Sequence, residues 1–342
     1  MTDVMPERPA RRLKTWSSLG KLRRLPSEYE IVTHGMNYTT RTGRFAALES
    51  NPTTPTNMWF LTYRDHSPLR AEDWSGFRDP DELTYRKYVT IQDEQETVVE
   101  GILDEYGPLA HDQSLEPEWI EFLSTVFTPT RFPAHALQMS TAYMAQMAPS
   151  SYITNCALFA GADLLRRVSL VAYRTRQLND ATSGVAGIGV REREVWQAHE
   201  AWQPARQMLE YLLVAYDWGE CFTAMNLVVR PSLDSVLLTQ AAELAHAGHD
   251  ELTWLLLSNL AADWARVERW STGLARHAIE QRGENREVML HWIDRWAPRA
   301  DAAVSSLAGL LAAVPGGPDQ GEVVANAVAA RDRVIAAAGI TG

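Results

Sequence analysis

From Thr90 to the C-terminal end, apolar residues recur at three- and four-residue intervals, and no run alternates long enough to make a convincing strand. That periodicity confines the chain to helices packed on helices. Punctuation residues divide it. Helices are expected over 90–105, over 116–127 with Pro117 near the first turn, and over 134–147 and 151–178 on either side of Pro149. The glycines of Ser183–Gly189 mark a loop. Beyond it, helices are expected over 191–229, 232–247 and 250–270, with Pro231 as a break. One more spans 284–296, where Pro298 ends or bends it, and Ala-rich segments 300–313 and 319–338 flank Pro315–Pro318. The string Leu255–Leu257 is apolar on more than one helical face, which places its helix deep in a bundle. The expected fold class is all-α.

Composition narrows the function. With 46% hydrophobic and 22% charged residues the chain is globular material, and a net charge of −11 argues against a nucleic-acid surface. The basic residues are unevenly spread: Arg8, Arg11, Arg12, Lys14, Lys21, Arg23 and Arg24 face only Asp3 and Glu7 in the first 24 positions. Such an arm either binds an acidic partner or is a solvated tail. Two cysteines, Cys156 and Cys221, lie in apolar helical sequence and read as buried thiols in a reducing cytoplasm. No apolar segment follows the N-terminal basic residues as a signal peptide requires. Phe132–Ala162 is free of Asp, Glu, Lys and Arg, yet Pro133, His135, Gln138, Gln146, Pro149 and Asn155 fit a buried helix pair better than a bilayer span.

Residues 26–90 differ in kind. Pro26, Pro52, Pro55, Pro68 and Pro80 interrupt them, and Trp59, Phe60, Tyr63, Trp74, Phe77, Tyr85 and Tyr88 need a surface to bury against, the chain's own or a partner's. The expected organisation is an extended N-terminal arm over 1–89, a bundle over 90–300 and C-terminal helices over 301–342. The arm's seven aromatics, together with Met139, Met144 and Met147, are the candidate subunit interface, since aromatic residues and Met are favoured there and only three Lys occur in the chain.

Chemistry is sparse. There is no GxxxxGK[ST], no GxGxxG and no GxSxG. Helical bundles can hold iron on inward Glu and Glu-x-x-His pairs, because an i, i+3 spacing puts carboxylate and imidazole on one face. One such half-site exists, Glu243–His246, with His249 three residues on and Glu210 upstream. It supports a self-sufficient metalloenzyme reading only with a second half-site, and none occurs; a solvated helix end accounts for it better. A stand-alone helical adaptor also stays open.

The run Phe77-Arg78-Asp79-Pro80-Asp81-Glu82-Leu83-Thr84-Tyr85-Arg86-Lys87-Tyr88, continued to Glu96, resembles the β (small) subunits of soluble bacterial multicomponent monooxygenase hydroxylases of the toluene, alkene and propane type. Tyr216–Glu220 and Asp250–Leu255 are similar to that family's later helices, and the likeness runs from about residue 12 to about 300. The resemblance implies a ferritin-like (ribonucleotide-reductase-like) bundle and a non-catalytic chain beside a di-iron α subunit. The α family's Leu-Asp-Glu-Leu-Arg-His is matched by Ala162–Arg167, and its Thr-Asp-Glu-Ala-Arg-His by Ala262–Val267. Leu164, Arg167, Trp264 and Val267 then stand at the ligand positions. None of them has a donor for a metal. Asp163, Arg166, Asp263 and Arg266 still frame those positions and are expected in buried ion pairs. Asp217 or Glu220 stands near the second half's lone carboxylate; the first half has no counterpart. The resemblance further implies no cofactor in this chain and, as partners, the α subunit, a small γ subunit, an effector protein, a ferredoxin and an NADH reductase, which together insert one atom of O₂ into a hydrocarbon.

Overall fold

The computed structural model describes residues 24–40, 53–107, 110–182 and 187–340. Of the basic N-terminal arm only Arg24 falls within them, and of the Ser183–Gly189 loop only the last three residues. No strand occurs among the described residues.

Short helices α1 (Glu28–Thr33) and α2 (Pro55–Phe60) precede α3 (Tyr85–Tyr106) and α4 (Pro117–Phe122). Helices α5 (Arg131–Met147) and α6 (Ser151–Thr182) follow, turned back on each other at Pro149 and packed along their lengths. After α7 (Glu192–Ala198) and α8 (Gln203–Leu212) comes a central run made of α9 (Trp218–Phe222), α10 (Arg230–Asp234) and α11 (Ala241–Ala247). Then α12 (Glu251–Gln281), α13 (Asn285–Ala312) and α14 (Gln320–Ala337) close the bundle.

Proline behaves differently from expectation. The chain from 191 to 229 is not one helix: Pro204 sits in the first turn of α8, and Asp217 caps α9 by accepting from the Gly219 and Glu220 amides at 2.9 and 3.1 Å. Conversely, Pro231 does not break the central run. The π-helical stretches Thr223–Val229 and Ser235–Gln240 flank α10, and the wider turn before Pro231 takes up the missing N–H and the ring's clash. Helix α13 likewise continues through Pro298, held by Trp292 and Trp296 before it and Ala300 and Val304 after it, all buried. The division placed at residue 300 therefore falls inside a helix.

The arm's described part lies over the chain's own bundle. Phe60, Leu69 and Phe77 join the core, the Asn155 side-chain amide donates to the Leu83 carbonyl at 2.8 Å, and the Arg70 amide donates to Asn285 at 3.1 Å. Leu69 approaches so closely that a Cβ on Gly219 would stand 2.7 Å from its own, which demands glycine there. Helix α3 starts at Tyr85 because Thr84 caps it, its hydroxyl accepting from the Lys87 amide.

Candidate functional site

Helices α6 and α12 lie side by side and bring the two matched segments together with α3 and α10. Leu164 and Val267 are each 1% exposed and fill the middle with hydrocarbon. Arg167 Nη1 donates to Asp234 Oδ1 at 2.7 Å, and Arg230 Nε lies 3.4 Å from the other oxygen of the same carboxylate. The Arg230 guanidinium sits over the Trp264 ring at 4.8 Å.

One layer outward the framing residues exchange partners between helices. From α12, Arg266 Nη2 donates to Asp163 Oδ1 at 2.7 Å and to Asp263 Oδ1 at 3.2 Å. From α6, Arg166 Nη1 donates to Asp263 Oδ2 at 3.1 Å, and its Nε pairs with Glu96 on α3. The Tyr88 hydroxyl donates to Asp163 Oδ1 at 2.9 Å and Gln92 Nε2 to the same atom at 3.0 Å. Four guanidiniums (Arg166, Arg167, Arg230, Arg266) are thus balanced by four carboxylates (Glu96, Asp163, Asp234, Asp263). The buried ion pairs expected of the framing residues are present.

Electrostatics follow from this crowding. Burial and the neighbouring Asp263 charge push the Asp163 carboxyl up to about 6 against the opposing pull of Arg266. Its Oδ2 has no partner, which suits a proton there. Burial, and the Asp163 charge next, raises the Tyr88 phenol. Burial lowers Arg266, but Asp163 and Asp263 outweigh it and the guanidinium is held more firmly protonated.

A di-iron centre does not fit these residues. A leucine, a tryptophan and a valine offer no lone pair, arginine keeps its proton, and the carboxylates present are already committed to guanidiniums. Nor are the alternative candidates gathered: among the described residues no three His, Cys, Asp or Glu form a group that could hold a metal. Glu210 pairs with Arg206 at 2.8 Å, and His246 Nδ1 lies 3.1 Å from Glu251 on the exposed end of α11. His249 adopts a left-handed turn conformation, φ 61°. Asp217 and Glu220 do not face the ligand positions either. Asp217 caps α9 and accepts from Ser67, while Glu220 accepts from Trp296 and pairs with Arg295. The carboxylate that reaches Arg167 is Asp234, one helical turn after Arg230. A signal for that pair existed, since they are the only charges between Cys221 and Ala242.

Of the ten interface candidates, Phe60, Phe77, Tyr88, Met144 and Met147 are buried in this chain's own core and present nothing to a partner. Burial there is the correction to that expectation: the arm's aromatics and the α5 methionines complete the bundle. Tyr63 and Trp74 are half-buried, and Trp59, Tyr85 and Met139 are exposed. Trp59 and Tyr63 pack at a tilt against each other and edge-on against Tyr216.

A strand-free bundle with paired inward segments on α6 and α12 is the architecture of ferritin-like hydroxylase subunits. Residues 59–282 match the family described as methane/phenol/alkene hydroxylase. The chain belongs to that family, as a structural subunit of the oxygenase component of a monooxygenase. It is 39% identical over 299 residues to the hydroxylase component subunit beta of the toluene-4-monooxygenase system of Ectopseudomonas mendocina, covering 87% of this chain and 90% of that one. It is similar to a chain in the structure of toluene 4-monooxygenase with toluene bound in the resting active site: TM-score 0.81, 36% identity, 90% of this chain and 99% of that one. The fold is shared with a chain of phenol hydroxylase from Pseudomonas sp. OX1, TM-score 0.79 at 20% identity over 98% and 97% of the two chains. No helix among the described residues is long and apolar enough to cross a membrane.

Proposed function

We propose that this chain is the non-catalytic β subunit of the oxygenase component of an NADH- and O₂-dependent hydrocarbon monooxygenase, acting on an aromatic or alkene substrate, with the di-iron centre in its α partner. The observation that carries this reading is the salt-bridged lattice at the ligand positions. Arg167 and Arg230, sharing Asp234, supply the positive charge between the helices that metal ions supply in an iron-bearing relative. Such a lattice adds little net stability, because desolvation offsets the Coulombic gain. Its contribution is geometric: the pairs that cross between helices, Arg167–Asp234, Arg166–Asp263 and Arg266–Asp163, form at only one register of α6 against α10 and α12, so the bundle offers a rigid face to its partner.

The 39% identity to a toluene-4-monooxygenase β subunit favours an aromatic hydrocarbon. In this scheme NADH delivers electrons through a flavin reductase and a ferredoxin, an effector protein modulates turnover, a small γ subunit completes the assembly, and one oxygen atom of O₂ enters the substrate. A cytoplasmic location suits the two buried thiols, of which Cys221 is pushed up to about 12 by burial.

Co-expression with the large companion tests the assignment. The two chains are expected to copurify, with all iron on the companion after they are separated and NADH-dependent toluene oxidation requiring both. Stoichiometric iron on this chain alone, lost on His246→Ala, overturns it. So does a stable monomer that captures no companion.

A further inference from the structure

Helix α6 carries an apolar stripe on its outer side. Leu158, Ala162, Leu165, Ser169 and Tyr173 share one face at steps of four, three, four and four residues, the spacing of a helix-packing seam. Leu158 and Leu165 are each 47% exposed and Tyr173 is 55% exposed, so the seam is open along about 22 Å of helix. No charge interrupts it; Arg166, alongside, is turned toward Asp263 and Glu96. The inner face of α6 already builds the core, and an outer face of this kind on a bundle helix is normally polar.

A groove of about 510 Å³ runs between this seam and α3. Val99 and Leu170 form its floor, Tyr173 its far side, and Glu96, Glu100 and Asp104 its α3 wall. From Val89 to Tyr106 helix α3 bears six carboxylates and no Lys, Arg or His. The open seam is therefore edged on one side by negative charge, of which, among the described residues, only Glu96 is met by a guanidinium, Arg166.

That charge selects the occupant. A second copy docked across a two-fold axis brings the same carboxylates back toward this rim, which like-charge repulsion disfavours. An amphipathic helix with Lys or Arg beside its apolar face is complementary. We propose that the outer stripe of α6 and the α3 groove together seat such a helix of the large companion subunit, its basic edge against Glu100 and Asp104. This assignment rests on the β-subunit reading given above.

Two variants of the full chain test it in the co-expressed complex. Leu165→Asp with Tyr173→Asp places charge in the seam at solvent-facing positions. The chain is expected to keep its helical circular dichroism and melting temperature while binding the companion about a hundredfold more weakly. Glu100→Lys with Asp104→Lys is expected to weaken binding about tenfold and to flatten its dependence on salt. If both variants bind as the wild type does, the seat is elsewhere, although the subunit reading survives. A wild-type chain that fails to capture the companion sinks both. A dimer of this chain alone that Leu165→Asp dissolves assigns the seam to a second copy and overturns the proposal.

Discussion

Helix α3 and the central run from Trp218 to Ala247 contribute to the same lattice from opposite situations. In the central run every residue from Cys221 to Asp234 is buried, so the charges of Arg230 and Asp234 meet each other, Arg167 and the face of Trp264 rather than solvent. In α3 only Tyr88 and Val99 of twenty-two residues are buried. It touches the lattice along one seam, through Tyr88, Gln92 and Glu96, and leaves the rest of its surface acidic and open. The contrast separates two jobs within one bundle. The inner helix fixes the register of the chain against itself; the outer helix, with the open side of α6, is available to something else.

The contrast breaks most sharply at Asp234. Asp234→Ala leaves Arg167 and Arg230 buried without a carboxylate and is expected to cost about 3–5 kcal/mol in denaturant unfolding. A loss below about 1 kcal/mol means that water reaches the two guanidiniums and that the inner helix is not sealed.

The seam between the two helices gives the next largest effect, and it depends on pH. Asp163 titrates near 6 in the folded chain against 3.8 when free, so the fold binds its proton more tightly than the unfolded chain does. Its favourable contribution is complete below about pH 4 and is lost as pH rises through about 6, amounting to roughly 2–3 kcal/mol. Asp163→Asn keeps an acceptor for Tyr88 and Arg266 and is expected to remove this part of the slope. Unfolding titrations from pH 4.5 to 8 measure it, and identical slopes in the two proteins refute the raised carboxyl.

Adjacent positions on α3 sharpen the comparison at smaller scale. Val99→Ala empties part of the groove floor and is expected to cost about 2 kcal/mol. Val98→Thr, one residue away and facing solvent, is expected to change stability by less than about 0.5 kcal/mol. Thermal melts of the two variants side by side decide whether the burial boundary runs between them.

Much of this was legible in the sequence. Three- and four-residue periodicity marked the helices, and the framing pattern of Asp163, Arg166, Asp263 and Arg266 announced ion pairs that the fold makes. The break expected at Pro231 is absent, and α13 does not end at Pro298, because a helix end depends on whether the neighbouring turn can widen and on what packs on either side. Distance along the chain brings Asp217 and Glu220 near the second half's lone carboxylate, but in the fold Asp217 caps α9 and Glu220 pairs with Arg295, and the carboxylate that meets Arg167 is Asp234. Half of the interface candidates failed because an aromatic residue's wish to be buried does not say by which chain.

The sequence by itself determined the helical class, the lack of metal-donor atoms on Leu164, Arg167, Trp264 and Val267, and the charge excess of each segment, since these depend on residue type and short-range spacing. Only the tertiary structure decided which carboxylate answers which guanidinium, which aromatics are consumed by the core, and which side of α6 is left uncovered. Those are properties of distance in space, and helices brought together from a hundred residues apart carry no local mark of the neighbours they will meet.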